Sequence, residues 1–332
     1  MFGSSAISYF AGAFFVSFAI SLVAGLFLIP ALRRADMGQT IREDGPVWHN
    51  KKQGTPTMGG IIFILGTIAA CLSAGIPIMR NGDFIHIFIF LFALIYAGIG
   101  LIDDYRKLKK KQNLGLRARQ KFFLQLVIAI LFVQLMRSSG YLTPSLYVPF
   151  ANLRIMLPES LYYIIAAFVT VGTVNAVNIT DGVDGLATGV TIPVTACFAA
   201  IALLLGRVSV GLFAASLTGG LAAFLVFNFH PAKVFMGDTG SHFIGGAVCA
   251  LAFACDMPLI LILLGFVYVV ETLSDIIQVT YFKLTKGKRI FKMAPIHHHF
   301  EMIGWSEYKL FAVFTSVSAV FAAIAYLGIR NL

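Results

Sequence analysis

The sequence predicts an all-α membrane protein that crosses the bilayer about ten times, with both termini on the outer face. Of its 332 residues, 58% are hydrophobic and only 12% are charged, whereas a water-soluble protein carries about 25% charged residues. Apolar runs of about 20 residues, the length that a helix needs to cross the hydrocarbon core, recur along the chain. Basic residues also alternate in density from loop to loop. These observations exclude a water-soluble globular protein.

The first of the ten predicted spans is expected to be a membrane helix and not a secretory signal. No Lys or Arg precedes this apolar run, and the run is longer than the apolar region of a signal peptide. The fourth span is short. The first five spans cover about residues 10–29, 58–78, 85–102, 121–136 and 161–178.

The last five predicted spans include one with acidic residues inside it. Glu271 and Asp275 lie in the ninth span, and a polar, basic segment follows. Two interpretations stay open: a helix that breaks or bends toward lipid, or an internal hydrogen-bonded pair. The five cover about residues 185–206, 209–228, 240–255, 257–281 and 308–328. Because the loops are short, residues 1–332 are predicted to form one integral membrane domain.

The basic residues predict the orientation in the membrane. Loops after odd-numbered spans hold 20 of the 25 Lys and Arg residues, and the other side holds 5. Since cytoplasmic loops carry the excess of Lys and Arg, the odd-numbered loops are predicted to be cytoplasmic. The net charge of +10 mainly reflects this bias. Attraction to anionic lipid or to a phosphorylated substrate is a secondary interpretation.

Five acidic residues fall on the same cytoplasmic side, although they come from three separate loops. Asp103 and Asp104 end the third span, and Asp238 lies in FMGDTGS before the eighth. Asp181 and Asp184 lie in NITDGVDGL, between the fifth and sixth. Any one pair could simply cap a helix. Carboxylates are costly near a bilayer, and neighbouring glycines let a backbone approach a ligand closely, so the pattern favours one shared site.

Carboxylates beside cations indicate Mg²⁺ and a phosphorylated substrate. Mg²⁺ takes oxygen ligands and is typically held by one or two carboxylates together with substrate phosphates. Asp238, Asp103 and Asp104 are the candidate ligands. Lys107 lies one helical turn after the aspartate pair, and Lys121 begins the fourth span at the same depth. Both are candidates for neutralising the charge of a phosphate, although any one lysine in this loop could simply contribute to the orientation of the protein in the membrane.

Three consecutive histidines occur in the last cytoplasmic loop, in APIHHHFE. Zinc ligands are usually spaced along the chain, and adjacent side chains diverge. No Cys accompanies the histidines in this loop. Hydrogen bonding to a sugar, a phosphate or a nucleobase is therefore preferred over a zinc site.

The motifs that carry these residues resemble those of one family. They are similar to the polyprenyl-phosphate N-acetylhexosamine-1-phosphate transferases and, within them, to the bacterial phospho-N-acetylmuramoyl-pentapeptide transferases (MraY family). The resemblance covers essentially the whole chain, and the first and last motifs separate the muramoyl branch from its N-acetylglucosamine relatives. In chain order the motifs are GTPTMGG (54–60), DDYRK (103–107), NAVNITDGVDGL (175–186), FNFHPAKVFMGDTGS (227–241) and APIHHHFE (294–301).

The resemblance implies a Mg²⁺-dependent transferase of peptidoglycan synthesis, and hence of cell-wall biogenesis, cell shape and cell division. Phospho-N-acetylmuramoyl-pentapeptide would move from UDP to undecaprenyl phosphate, giving lipid I and UMP, at the cytoplasmic face of the bacterial inner membrane. The implied partners are UDP-N-acetylmuramoyl-pentapeptide, undecaprenyl phosphate and membrane lipid, with no nucleic acid. A homodimer is suggested by the family alone.

The resemblance also implies a catalytic and metal-binding set. Asp238 would ligate Mg²⁺. Asp103 and Asp104 would form the acidic pair beside the lipid phosphate and the metal ion. His297 would contact phosphate.

A larger set of residues would bind substrate by the same resemblance. Phe235 would stack on uracil, and either Lys51 or Lys52 would approach the nucleotide. The implied substrate-binding residues are Lys107, Lys121, Asn175, Asn178, Asp181, Gly182, Val183, Asp184, Phe235 and His298.

Alternatives remain for both mechanism and function. Phosphoryl transfer asks the protein mainly for alignment and charge neutralisation, so one in-line displacement is preferred over a covalent aspartyl-phosphate route, which stays open. An ion-coupled transporter would also use membrane acids, but its site normally lies near the midplane between repeats. The same chemistry on UDP-N-acetylglucosamine is the second alternative.

Overall fold

The computed structural model describes residues 2–35, 37–38, 52–110 and 115–330. The fold is 75% helix and 3% strand. Its helices are α1 (Phe2–Arg34), α2 (Gly60–Ala74), α3 (Ile76–Arg80), α4 (Ile85–Lys110), α5 (Ala118–Ser138), α6 (Glu159–Thr180), α7 (Leu186–Leu204), α8 (Val208–Asn228), α9 (Gly237–Ala254), α10 (Leu261–Leu264, after a 3-10 turn at Pro258–Ile260), α11 (Phe266–Leu284), α12 (Ile296–Met302) and α13 (Glu307–Leu327). Two strands, β1 (Ser145–Val148) and β2 (Leu153–Met156), pair antiparallel with Ser145 opposite Met156.

Seven helices in these described ranges are long and apolar enough to cross a membrane: α1, α4, α5, α6, α7, α8 and α13. The count becomes eight if α10 and α11, bent by 82° at their junction, form one broken span. Each of the ten predicted segments falls on a helix or on this bent pair. However, α2 has only 15 residues, and α9 is not among the seven. Helix length and composition therefore support a membrane-spanning bundle of seven or eight helices.

Helix α9 lies at the centre of the bundle. Every residue from Thr239 to Ala254 is buried. Gly60, at the start of α2, lies so close to Gly240 that an added Cβ would overlap the backbone of α9. Close approach through small residues is typical of helix packing in membranes. This contact places the start of α9 directly against the start of α2.

The hairpin of β1 and β2 was not predicted and lies at one end of the bundle. Arg154 of β2 forms a 2.7 Å ion pair with Asp256, which follows α9. The backbone N–H of Phe150, in the hairpin turn, donates to the carbonyl of Gly328 after α13 (2.8 Å). The C-terminal end of α13 therefore lies at the hairpin end.

Helix α1 also begins at the hairpin end. The ring of Phe10 packs against Gly211 near the start of α8. Just before α8, Arg207 donates to the carbonyl of Ala254, close to the hairpin. At the far end, the segment after α1 pairs with the segment before α2. Both ends of the described chain thus lie at the hairpin end, and the loops with the polar motifs lie at the other.

Candidate active site

Asp104, near the end of α4, holds the first turn of α9. Its Oδ1 accepts the backbone N–H of Asp238 (3.1 Å). Its Oδ2 accepts both the N–H (2.9 Å) and the hydroxyl (2.7 Å) of Thr239. A helix N-terminus has unpaired N–H groups and the positive end of the helix dipole, so a carboxylate from another helix is a favourable partner. Asp104 thereby fixes the position of Asp238.

The GTPTMGG segment supports the same turn from the other side. The N–H of Phe235 donates to the carbonyl of Pro56, and the N–H of Gly59 donates to the carbonyl of Phe235, both at 2.8 Å. The motif thus forms a short backbone pairing with the residues just before α9. Phe235, the predicted partner of uracil, is half-buried in this pairing.

Two lysines converge on the carboxylate of Asp238. Lys121 Nζ lies 2.9 Å and Lys107 Nζ 3.1 Å from Oδ2 of Asp238. Lys107 also pairs with Oδ2 of Asp103 at 2.7 Å. The N–H of Leu116 donates to the other oxygen of Asp103 at 2.6 Å. Asp103 and Asp238, predicted from separate loops to share a site, are therefore joined through one ammonium group.

Asn178 completes the surroundings of Asp238, whereas Asn175 has other partners. The amide of Asn178 donates to Oδ1 of Asp238 and to the hydroxyl of Ser241, both at 2.9 Å. The amide of Asn175 donates to Oε1 of Gln125 and to a carbonyl of its own helix, both at 2.8 Å. Asn178 therefore belongs to the site. The contact of Asn175 with uridine stays a prediction.

Asp181 follows α6 and faces the other carboxylates. Burial, followed by the charges of Asp238, Asp104 and Asp184, raises the pKa of its carboxyl to about 8. Like charges and burial both disfavour an ionised carboxyl. A cation placed among these acids would relieve that repulsion.

Gly182, the next residue of this loop, lies against the side chain of His297. An added Cβ on Gly182 would overlap Nε2 of the imidazole. Nδ1 of the same ring lies 2.9 Å from Oε2 of Glu271 in α11. The neighbouring Val183 is buried in the hydrophobic core. His297 therefore lies beside this loop, and its partner Glu271 pairs with a histidine rather than with Asp275. The contact of His297 with phosphate stays a prediction.

The other two histidines of the run have separate partners. Nδ1 of His298 lies 2.6 Å from Oε2 of Glu301. Nδ1 of His299 accepts the N–H of Lys292 at 3.1 Å. Within the described ranges, the side chains of the three histidines therefore have three different hydrogen-bond partners.

Asp184 belongs to a second cluster. Lys52 Nζ lies 2.8 Å from Oδ1 of Asp184 and 2.7 Å from Oε2 of Glu307. Nδ1 of His230 lies 2.9 Å from Oδ2 of Asp184, which also accepts the N–H of Ala232 at 3.0 Å. Burial opposes ionisation of Asp184, but Lys52 and these hydrogen bonds outweigh burial and lower the pKa of its carboxyl.

The second cluster has the spacing of a metal site but already contains a cation. One ligand atom each from Asp184, His230 and Glu307 lies within 4.8 Å of the others. The ammonium of Lys52 lies between two of these carboxylates and supplies the positive charge.

Sequence reasoning missed part of this cluster. It left Lys51 and Lys52 undecided, and Lys51 lies outside the described residues. It assigned no functional role to Glu307 or to His230. Lys52 and Glu307 are 255 residues apart, so no local pattern could have paired them.

Known proteins are similar to this chain over nearly its whole length. Glycosyl transferase family 4 matches residues 86–256, and the phospho-N-acetylmuramoyl-pentapeptide-transferase signature 1 matches residues 52–64. A phospho-N-acetylmuramoyl-pentapeptide-transferase of Caldanaerobacter subterraneus is 47% identical over 94% of this chain and 96% of its own length. A relative of the same name from Clostridium acetobutylicum is 45% identical over 95% and 97%, and one from Geobacillus thermodenitrificans is 44% identical over 93% and 94%.

Proposed function

The chain belongs to the phospho-N-acetylmuramoyl-pentapeptide-transferase family, and we propose that it transfers phospho-N-acetylmuramoyl-pentapeptide from UDP to undecaprenyl phosphate, giving lipid I and UMP. Family membership makes it a transferase of peptidoglycan synthesis. The observation that carries the finer proposal is the convergence of Asp103, Lys107, Lys121 and Asp238 at one end of a membrane bundle. Two carboxylates and two ammonium groups suit a diphosphate and a divalent cation.

We place this site at the cytoplasmic face of the bacterial inner membrane. The proposal counts α2, α9 and the bent pair with the seven long helices, which gives ten spans with both termini outside. The distribution of 20 basic residues against 5 supports it, as do the two chain ends at the hairpin end, opposite the site. A water-soluble nucleotide-sugar and a membrane-bound polyprenyl phosphate can meet only at such a boundary.

Mg²⁺ is the proposed cofactor, and the side chains present suit it. Oδ2 of Asp103 and Oδ2 of Asp238 both lie within 3.1 Å of Nζ of Lys107. The two carboxylates could therefore balance the charge of a metal ion bound between them. Asp103 and Asp238 would hold the ion. The metal-ligand role of Asp104 stays a prediction, because both of its oxygens accept hydrogen bonds from α9. When bound, Mg²⁺ would neutralise charge that develops on the diphosphate as UMP leaves.

The side chains of this chain would align the reactants. Lys107 and Lys121 would turn from Asp238 toward oxygens of the diphosphate. An oxygen of the lipid phosphate attacks the phosphorus that carries the sugar, and the bond from that phosphorus to the UMP oxygen breaks. A phosphate monoester with a second pKa of about 6 is mostly dianionic at neutral pH, so no proton has to be removed first. In-line displacement is preferred, and the covalent aspartyl-phosphate route remains the alternative.

Release of UMP by the purified protein tests the proposal. The protein in detergent with Mg²⁺ and undecaprenyl phosphate is offered UDP-N-acetylmuramoyl-pentapeptide or UDP-N-acetylglucosamine. We expect lipid-dependent UMP release from the first donor only. Release from the second donor alone would transfer the assignment to the N-acetylglucosamine branch. Absence of release from both would overturn the enzyme proposal and favour a transporter.

A further inference from the structure

Helix α11 carries a buried polar stripe along one face. Glu271, Ser274 and Gln278 are buried, and their spacing of three and four residues places them on the same side of the helix. Leu273 and Ile276 are exposed on the remaining surface. A stripe of this kind is costly in a membrane helix and therefore marks a working site by default.

Gln278 attaches the segment after α11 to this stripe. Its Oε1 accepts the N–H groups of Ile290 (3.1 Å) and Phe291 (3.0 Å). Its Nε2 donates to the carbonyl of Phe291 at 3.1 Å. Both the oxygen and the nitrogen of the Gln278 amide thus form hydrogen bonds with the backbone of the segment that precedes the histidine run. The stripe therefore positions the loop that carries His297.

Glu271 reaches the histidine itself, two turns earlier on the helix. Its Oε2 lies 2.9 Å from Nδ1 of His297, and the two side chains are 0% and 1% exposed. Nε2 of His297 has no hydrogen-bond partner among the described residues. This nitrogen points at Gly182, which follows Asp181. A carboxylate can only accept at Nδ1, so the proton of a neutral imidazole is held there and Nε2 is left for another group.

We propose that Glu271 is a positioning residue for the transfer reaction, acting through His297. It fixes the tautomer and the ring orientation, so that Nε2 faces the substrate phosphate at the edge formed by Asp181 and Gly182. This inference rests on the proposed function for the identity of the substrate. Helix α11 would thus orient a side chain that contacts substrate, in addition to crossing the membrane.

A double-mutant cycle separates positioning from a merely structural role. We expect Glu271→Ala to lower kcat between about 10- and 100-fold, as removal of partners behind a functional histidine commonly does. In a His297→Ala background the same change should alter kcat by less than about twofold, because the coupling is already lost. Glu271→Gln, whose amide oxygen can still accept from Nδ1, should retain more of kcat than Glu271→Ala. Additive losses, or full activity of Glu271→Ala, would overturn the proposal.

Asp256→Asn provides the matched control. It removes a buried carboxylate from an ion pair with Arg154 at the hairpin end, so it reports the general effect of such a loss on folding. We expect its kcat to stay within about twofold, with no coupling to His297→Ala, since separated sites normally behave independently. Equal coupling of Asp256 to His297 would mean that the cycle reports folding and would contradict a positioning role.

A spectroscopic readout makes the inference independent of the substrate assignment. In protein labelled with ¹⁵N-histidine, the resonances of His297 are assigned by their loss in His297→Ala. We expect the Nδ1–H form in the parent and a redistribution toward Nε2–H in Glu271→Ala. An unchanged tautomer in Glu271→Ala would refute the inference even if the parent releases UMP. If the parent shows no UMP release, the proposed function fails, and the tautomer still decides whether Glu271 orients His297.

Discussion

Asp104 and Thr239 lie 135 residues apart, yet a single carboxylate oxygen of Asp104 accepts both the N–H and the hydroxyl of Thr239. The adjacent oxygen accepts the N–H of Asp238. A side chain of α4 therefore performs the capping that the N-terminus of α9 does not receive from its own sequence. Because Asp238 lies in the first turn of α9, the same cap fixes the position of the carboxylate that we propose to be catalytic.

Asp104→Asn should therefore lower stability as well as activity. The amide would direct a donor at N–H groups that need an acceptor, and an unsatisfied buried group costs about 1–3 kcal/mol. We expect a clear decrease in the thermal unfolding temperature in detergent, measured by tryptophan fluorescence. Thr239→Val, which removes only the hydroxyl, should show a smaller decrease. An unchanged unfolding temperature for Asp104→Asn would show that the cap is dispensable.

Asp238→Asn should behave differently, with activity lost and the fold retained. Its carboxylate contacts two lysines and an amide at the site, and its own backbone N–H remains capped by Asp104. We expect kcat to decrease at least about 100-fold, the scale found when one preorganised electrostatic group is removed. Asp256→Asn serves as the control for loss of a distant carboxylate. Near-normal turnover of Asp238→Asn at saturating Mg²⁺ would contradict the metal role.

Gly182→Ala tests the contact between the acidic loop and the histidine run. The new Cβ would displace the imidazole of His297, and a displacement of about 1 Å can cost up to about 100-fold in rate. We expect kcat to fall at least about tenfold by that argument, with unfolding temperature little changed. Gly172→Ala, in the middle of α6 with open space around it, should remain fully active. Equal activity of the two variants would disprove the contact.

Hydropathy predicted the helical segments, and loop positions predicted that acids from separate loops would lie at one membrane boundary, because both depend on the position of each residue along the membrane normal. Asp103 and Asp238 were assigned to one boundary in this way, and their shared contact with Lys107 agrees with that prediction. Asp184 was expected at the same site as the other acids but belongs to the second cluster. Glu271 and Asp275 had suggested a broken or bent span, and the bend observed in this span lies at Gly265, whereas both acidic residues lie within the continuous helix α11.

Specific partners were beyond the sequence because they depend on how helices pack around α9. Asp104 was predicted as a metal ligand, while its observed partners are N–H groups of a helix far along the chain. Lys52 could not be paired with Glu307 for the same reason. The hairpin was missed because strands of four residues are too short for an alternating pattern to be distinguished from a loop.

The Lys52 cluster predicts a stability effect with a defined pH range. A carboxyl whose pKa is lowered on folding stabilises the fold above its unfolded pKa, and this stabilisation is lost as the pH falls through the folded value. The pKa of Asp184 is lowered, and an unperturbed Asp has a pKa of about 3.9. Asp184→Asn should thus be less stable than the parent by a constant amount between about pH 5 and 8, and the difference should shrink below about pH 4.

Lys52→Met is the partner test for the same cluster. Loss of the ammonium leaves Asp184 and Glu307 facing each other without a cation, and breaking one partner of a buried pair is strongly destabilising. We expect Lys52→Met to unfold at a lower temperature than Asp184→Asn. Restoration of stability in Lys52→Met combined with Glu307→Gln would support the pairing, and its absence would argue against it.

Asp181 predicts how Mg²⁺ binding depends on pH. Its pKa is raised to about 8 by burial and by the neighbouring aspartates, so below that pH a bound proton already reduces the negative charge of the site. A divalent cation competes with this proton, and the affinity for Mg²⁺ should therefore rise from about pH 6 to 8 and level off above it. The measurement is the Mg²⁺ concentration that gives half-maximal UMP release at each pH. In Asp181→Asn the proton is no longer available to be displaced, so this dependence should flatten while the parent retains it. If the Mg²⁺ concentration needed by the parent is constant over this pH range, the carboxyl of Asp181 does not interact electrostatically with the bound metal ion.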